Sequence, residues 1–157
     1  MSAPATPDRD VVTWDDLDRL VADLAERLAG TTFDVLLCIT RGGLVPAGML
    51  AYRLRIRNIL VAAVAFYDDE GQPGPHPTFL QVPADPLLRG QTVLIVDEVW
   101  ESGTTIHAVT ERVIQAGGIP TTAVLHYKPR RSLVPGTPDL HAVETDNWVV
   151  YPFKAGN

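Results

Sequence analysis

Apolar residues fall along this chain in two alternating rhythms. From Trp14 they recur at Leu17, Leu20, Val21, Leu24 and Leu28, the spacing that gives a helix one buried face. Thr13 stands just before this run and Asp16 three residues on, a variant capping box, and Gly30 follows as a C′ stop. Val35–Ile39 is instead continuously apolar, as expected of a strand buried on both faces. After Thr40-Arg41-Gly42-Gly43, helical spacing returns through Leu44, Ala47, Leu50 and Leu54. Ile59–Tyr67 and Val93–Val96 read as further buried strands, and Thr78–Val82 as a short one. Thr105–Ala116 carries Ile106, Val109, Val113 and Ile114 on one helical face and is stopped by Gly117-Gly118. Thr121–Tyr127 is another strand, and Leu140–Phe153 holds two short strands around Asp146-Asn147-Trp148. Strands alternating with helices predict an α/β fold with a central, mostly parallel sheet flanked by helices. Residues 1–10 read as a frayed tail, which leaves 11–157 as a single domain. Asp68–Pro77, rich in Pro, Gly and acid, is a loop: a mobile lid or a plain surface loop.

Composition narrows the choice of partner. The 157 residues are 46% hydrophobic, enough for a core without staples, and carry a net charge of −6. That balance argues against nonspecific nucleic-acid or anionic-membrane binding, which needs excess Lys and Arg. No apolar run is long enough to span a bilayer, and the first ten residues lack a signal-peptide core. A cytoplasmic protein is the expectation. Cys38, alone, lies in an apolar run and reads as a small buried hydrophobe. His76, His107, His126 and His141 show no metal-ligand spacing.

The densest chemistry is in Val93–Thr105. Four apolar residues run into Asp97 and Glu98, a third acid follows at Glu101, and then Ser102-Gly103-Thr104-Thr105 opens a helix. Sites in open α/β sheets lie at the carboxyl ends of strands. Two acids there accept hydrogen bonds from vicinal hydroxyls or hold Mg²⁺ through water; taken alone, the pair fits a solvated strand end better. Ser102–Thr105 offers backbone N–H groups and three hydroxyls at a helix start, which suits a phosphate or serves as plain capping. The two glycines after Thr40-Arg41 permit close backbone approach to a ligand, with Arg41 free to pair with phosphate oxygens or to sit in solvent. Lys128, after an apolar strand, donates to an exocyclic oxygen if a base sits there, and is otherwise an exposed strand-end lysine. Trp148 offers a stacking face or packs in a core or interface. A receiver domain also ends a strand in an acidic pair, but that strand comes near its N-terminus, and too little chain follows Val93 here.

The whole segment resembles the phosphoribosyl pyrophosphate signature of the type I phosphoribosyltransferases: apolar strand, two acids, two variable residues, an acid, a hydroxyl residue, Gly, any residue, Thr. Val12-Thr13-Trp14-Asp15, Arg41–Pro46, Tyr67-Asp68, Lys128-Pro129 and Asp146-Asn147-Trp148 extend the resemblance, in order, to the bacterial xanthine-guanine phosphoribosyltransferases. The resemblance implies a small hood made partly from the C-terminal segment, a homodimer or homotetramer, and Mg²⁺ with phosphoribosyl pyrophosphate and a 6-oxopurine as substrates. It implies that Asp97 and Glu98 hold the ribose hydroxyls and the metal, that Ser102, Gly103, Thr104 and Thr105 anchor the 5′-phosphate, and that Arg41, Gly42 and Gly43 bind pyrophosphate behind a cis Thr40–Arg41 bond. Lys128, Trp148 and the main-chain carbonyl of Val149 read the base, and Tyr67 belongs to the lid.

Two departures stand out. Relatives usually carry Asp where this chain has Glu101, a carboxylate implied to lie near purine N7; the extra methylene reaches about 1.5 Å further. Many relatives carry Ser where this chain has Phe66. Trp100 is unusually large for its place, and packs on a neighbouring subunit or shapes the mouth of the site. A phosphoribosyl pyrophosphate sensor on the same fold and a transferase with another acceptor remain as alternatives, the sensor opposed by the acidic charge and adenine by the donor character of Lys128.

Overall fold

The computed structural model describes residues 8–154. Its elements run β1 (Arg9–Val11), α1 (Trp14–Leu28), β2 (Val35–Ile39), α2 (Leu44–Leu54), β3 (Ile59–Tyr67), β4 (His76–Gln81), α3 (Asp85–Leu88), β5 (Thr92–Trp100), α4 (Thr104–Gln115), β6 (Ile119–Tyr127), β7 (Leu140–Glu144) and β8 (Trp148–Val150), closed by a 3₁₀ turn at Pro152–Lys154. Six strands form one sheet in the order β4-β3-β2-β5-β6-β7. All its pairings are parallel except β3 with β4, an edge hairpin. This is the expected α/β architecture.

Alternation along the central strands builds two cores. Leu36, Cys38, Leu94, Val96, Ala123 and Leu125 face Leu17, Val21 and Leu24 of α1 and Ala47 and Leu50 of α2. Val35, Leu37, Ile39, Val93, Ile95 and Val124 face Ile106, Val109 and Val113 of α4. All five residues of β2 are buried, which is why the run is apolar without alternation. Each large side chain so buried contributes roughly 1.5–3 kcal/mol. The capping box starts α1 as expected: the Thr13 hydroxyl accepts from Asp16 N at 3.1 Å, and the Asp16 carboxylate accepts from Thr13 N at 2.9 Å.

Several boundaries differ from the sequence reading. Arg9 and Asp10, assigned to a frayed tail, pair in parallel with Trp148 and Val149 as part of a separate two-stranded sheet. Residues 1–7 of that expected tail lie outside the described residues. The sheet β1–β8 is the hood, so the chain's start as well as its end builds it. β4 begins at His76, inside the expected loop. β5 does not end at Val96 but continues to Trp100. Its pairing with β2 stops at Cys38–Val96, whereas its pairing with β6 runs on to Trp100–Tyr127. Asp97 and Glu98 are therefore strand residues with a neighbour on one side and a gap on the other. The gap lies where chain connections diverge, β2 leading outward to β3 and β5 to β6, a topological switch point. Among the described residues no helix is long and apolar enough to cross a membrane.

Candidate active site

The gap beside β5 opens on three contiguous hollows. Asp97, Glu98, Glu101, Ser102, Gly103 and Thr105 line one of about 200 Å³. Glu98, Glu101, Lys128, Trp148, Val149, Tyr151 and Lys154 line a second of about 340 Å³. Arg41, Gly42, Leu44, Val45, Phe153 and Lys154 line a third of about 300 Å³. A larger hollow of about 500 Å³ lies near the end of α2 and the start of β3, lined by residues such as Tyr52 and Arg57; no acid lines it and it shares no lining residue with this cluster.

The acidic pair sits under unusual electrostatic load. Glu98 is 8% exposed. Burial, and then the adjacent Glu98, push the Asp97 carboxyl well above the usual carboxylate range. Asp97 Oδ1 accepts from Glu98 N at 2.9 Å. Glu98 Oε1 accepts from Lys154 Nζ at 3.2 Å, while Oε2 is buried with no hydrogen-bond partner among the described residues. The Glu98 carboxylate lies against Gly42, where any Cβ would overlap it. A Cβ on Gly43 would press on the carbonyls of Ile39 and Val96. The two glycines thus let the loop after β2 close onto β5. The Thr40–Arg41 bond is cis, as the resemblance implied. Arg41 forms no ion pair among the described residues. The Cys38 thiol, buried behind the acids, is pushed up to about 11.

The loop from β5 to α4 is held from above. Gly103 adopts φ +79°, a left-handed conformation that glycine takes without strain. Ser102 Oγ accepts from Thr104 N at 3.3 Å and shares a 2.9 Å hydrogen bond with Thr104 Oγ1. The first turn of α4 leaves backbone N–H groups without helical partners, an anion-attracting arrangement. Trp100 is neither a surface anchor nor a cleft wall: it is 4% exposed and packs under Gly103. Its Nε1 donates to Ser132 Oγ at 3.0 Å, and Leu133 N donates to Ser102 O at 2.8 Å. The large side chain serves to clamp the 130s loop over the 101–104 turn.

The second hollow is assembled from distant pieces. Lys128 is 3% exposed, not a surface lysine. Its Nζ lies 3.3 Å from Glu101 Oε1 and 5.7 Å from the centre of the Trp148 ring. Arg131 Nη1 is 3.5 Å from the same Glu101 oxygen. Trp148, 54% exposed, covers this pair. Trp148 N donates to Asp8 O, and Val150 O accepts from Val12 N. Alternation along a strand turns the Val149 carbonyl to the opposite edge of β8, away from β1. The turn before β8 is fixed by Asp10, which accepts from Thr145 Oγ1 at 2.6 Å and Asn147 Nδ2 at 2.8 Å. Those bonds, Asn147 first, hold the Asp10 carboxyl below its usual 3.8. Beneath lies a buried relay: the Tyr151 hydroxyl donates to Glu98 O at 3.1 Å and meets His126 Nδ1 at 2.8 Å, so the imidazole nitrogen is the donor. Burial lowers His126 to about 4.

Tyr67, expected in the lid, ends β3 and pairs with His76. It lines none of the three hollows. The loop after it folds back on itself: Asp68 Oδ1 accepts from Glu70 N and Gln72 N, and Gly74 N donates to Phe66 O. Lys154, Arg131 and Tyr151 fall in no sequence motif, His126 stands among four histidines without metal-ligand spacing, and Asp10 falls in the expected tail. Lys154 is the one cation after the aromatic run Tyr151-Pro152-Phe153, and Asp10-Val11-Val12 is a polar-to-apolar step just before the first helix; either signal could have been followed.

An α/β sheet with an acid pair and an anion-ready helix start at its switch point is built to take a phosphorylated ligand between its strand ends. Comparison with known proteins makes the class specific. The phosphoribosyl transferase domain model matches residues 13–155. The xanthine-guanine phosphoribosyltransferase of Chromohalobacter salexigens is 33% identical over 146 residues, 92% of this chain and 83% of that one. A purine phosphoribosyltransferase from Pyrococcus horikoshii superposes with a TM-score of 0.82 at 32% identity, over 95% of this chain and 96% of that one. A Neisseria gonorrhoeae protein with bound ppGpp superposes with a TM-score of 0.80 at 32% identity, over 97% and 92%. The chain belongs to the phosphoribosyltransferase family, and is an enzyme of that transferase class.

Proposed function

We propose that this cleft moves the phosphoribosyl group of phosphoribosyl pyrophosphate onto N9 of a 6-oxopurine, guanine, xanthine or hypoxanthine. The products are pyrophosphate and a purine nucleoside 5′-monophosphate, the outcome of purine salvage. The observation that carries the reading is the buried Lys128 beside Glu101 under the Trp148 ring. Glu101 takes one of the three donors of this buried ammonium, and a purine's exocyclic oxygen is an acceptor of the right kind for another at the edge of a stacking face. The relative with bound ppGpp adds support, because that ligand joins a guanine base to phosphates at both ends of its sugar.

In this scheme N9 attacks the anomeric carbon as its bond to the pyrophosphate oxygen breaks, and pyrophosphate leaves with the electron pair. The purine proton passes to a base or to solvent. Asp97 and Glu98 accept from the ribose hydroxyls and compensate positive charge developing on the ring. Ser102, Gly103, Thr104 and Thr105 hold the 5′-phosphate through amides and hydroxyls. Arg41 and the amides of Gly42 and Gly43 receive the departing pyrophosphate. Lys128 donates to the exocyclic oxygen, Trp148 stacks, the Val149 carbonyl accepts from the far edge of the base, and Glu101 faces N7.

The residues suit Mg²⁺ in a particular way. No group of three or more ligating side chains is found among the described residues, while Glu98 Oε2 is a buried carboxylate oxygen without a partner. Mg²⁺ is usually held by one or two carboxylates together with substrate phosphates. Asp97 and Glu98 fit a cation that arrives with the diphosphate, directly or through water. When bound, it supplies neutralising charge at the leaving group.

The test is a base panel read by pyrophosphate release with Mg²⁺ and phosphoribosyl pyrophosphate, run on wild type and Glu101→Asp. Release with at least one of guanine, xanthine or hypoxanthine, and none with adenine, is the expected outcome. No release with any of the three 6-oxopurines removes the purine assignment. A large gain in Glu101→Asp would mean that the longer acid is mistuned for the purines tried.

A further inference from the structure

Lys154 lies outside every motif the sequence offers, yet it joins two of the three hollows of the cleft. It is the one residue that lines both the hollow under Trp148 and the hollow beside Arg41 and Gly42. Its Nζ donates to Glu98 Oε1 at 3.2 Å and sits 5.4 Å from the centre of the Tyr151 ring. The turn that carries it is pinned to the strand it serves, because Lys154 N donates to Tyr151 O and the Tyr151 hydroxyl donates to Glu98 O. The two ends of the ion pair differ in freedom. The Glu98 side chain is 11% exposed and the Lys154 side chain 43%. Glu98 is thus fixed in the wall, while the ammonium is hydrated on one side and its four-carbon stem leaves it free to turn.

Charge says where it turns. Arg41 and Lys154 are the two cations lining the third hollow, and no acid lines it. Paired with Glu98, the ammonium neutralises a buried carboxylate that would otherwise stand unpaired. Once sugar hydroxyls hydrogen-bond to Glu98, that need falls, and a diphosphate beside Arg41 becomes the stronger anion.

We propose that Lys154 is a diphosphate-binding residue of this site, held by Glu98 until the substrate engages the acidic pair. The proposal rests on the phosphoribosyl-transfer reading and extends it to a residue from the C-terminal turn. The ammonium of Lys154 then bridges the acid that holds the sugar and the group that leaves it. Sugar binding and leaving-group binding become coupled through one side chain.

The experiment pairs Lys154→Met with Lys154→Arg. Calorimetry with Mg²⁺–phosphoribosyl pyrophosphate, and steady-state kinetics with phosphoribosyl pyrophosphate and the preferred base, are run on each. A lost charge-assisted phosphate contact is expected to weaken phosphoribosyl pyrophosphate affinity and raise its KM by about tenfold in Lys154→Met. The base KM stays within about twofold, and Lys154→Arg regains most of the loss. Unchanged phosphoribosyl pyrophosphate affinity in Lys154→Met overturns the assignment. So does an equal rise in both KM values with a lowered melting temperature, which would make the lysine a structural tie for the C-terminal turn. If wild type does not bind phosphoribosyl pyrophosphate, the transferase reading itself fails; wild-type binding with an indifferent Lys154→Met defeats only the role of Lys154.

Discussion

The two halves of the cleft are built in different ways. The half proposed to take sugar and phosphate is almost one run of chain, Asp97 to Thr105, passing from the end of β5 into α4 and backed by both hydrophobic cores. The half under Trp148 is gathered from the end of β6, the 130s loop, β8 and the N-terminal β1, and its roof is a sheet of two three-residue strands. A short parallel pair with little core of its own is marginal by itself. The contrast teaches that the anion half depends on the rigidity of the whole domain, whereas the other half depends on a few polar ties such as Asp10 to Thr145 and Asn147. Damage to the second should leave the first working.

Substitutions at four positions put that division under strain. The largest effect is expected from Gly43→Ala, whose Cβ would meet the backbone of both β2 and β5 where neither can yield. A displacement near 1 Å there should cost at least about a hundredfold in kcat/KM for phosphoribosyl pyrophosphate, measured by steady-state kinetics. Next comes Lys128→Met, which removes a charged donor from a buried position. It should raise the base KM by about thirtyfold to a hundredfold. Calorimetric affinity for Mg²⁺–phosphoribosyl pyrophosphate should stay within about twofold, and a matching loss there would erase the boundary between the halves.

Asp10→Ala is the sharper probe, because Asp10 lines none of the three hollows and its hydrogen bonds go to the turn before Trp148. A rise of about tenfold in base KM with unchanged phosphoribosyl pyrophosphate affinity is expected, and Asp10→Asn should recover part of it. The smallest effect on turnover belongs to His126, which acts on stability. Its folded value of about 4 lies below the usual 6.5, so the folded state binds fewer protons between those values. Its contribution is complete above pH 6.5 and is lost as pH falls toward 4, about 2 kcal/mol by pH 5. Thermal melts should therefore drop by several degrees between pH 7.5 and 5. His126→Gln should flatten that part of the profile, and an unchanged slope would assign the pH dependence elsewhere.

The same contrast explains what could be seen from the chain alone. The strands and helices of the main sheet were legible because each carries its own period: five buried residues in β2, one apolar stripe in α1. The acid pair and the Ser102–Thr105 turn lie in one run, and Arg41-Gly42-Gly43 is a compact run of its own, so each can be read directly from the sequence. Lys128 and Trp148 could be named but not joined, since only the fold sets Glu101, twenty-seven residues before Lys128, against its ammonium. Asp10 reads as tail because a three-residue strand has no period to detect. Trp100 made sense only once Gly103 and Ser132 were seen around its indole. The extent of β5 was misjudged for a related reason: pairing with β6 alone, not an apolar pattern, keeps Asp97–Trp100 extended.

The most direct test of the account follows the reaction by ³¹P NMR, with wild-type protein, Mg²⁺, phosphoribosyl pyrophosphate and guanine, xanthine or hypoxanthine. Replacement of the substrate's diphosphate signals by equal amounts of pyrophosphate and a nucleoside 5′-monophosphate, with at least one base, is the expected result. Unchanged signals with all three bases, or pyrophosphate appearing without any nucleotide, would contradict it.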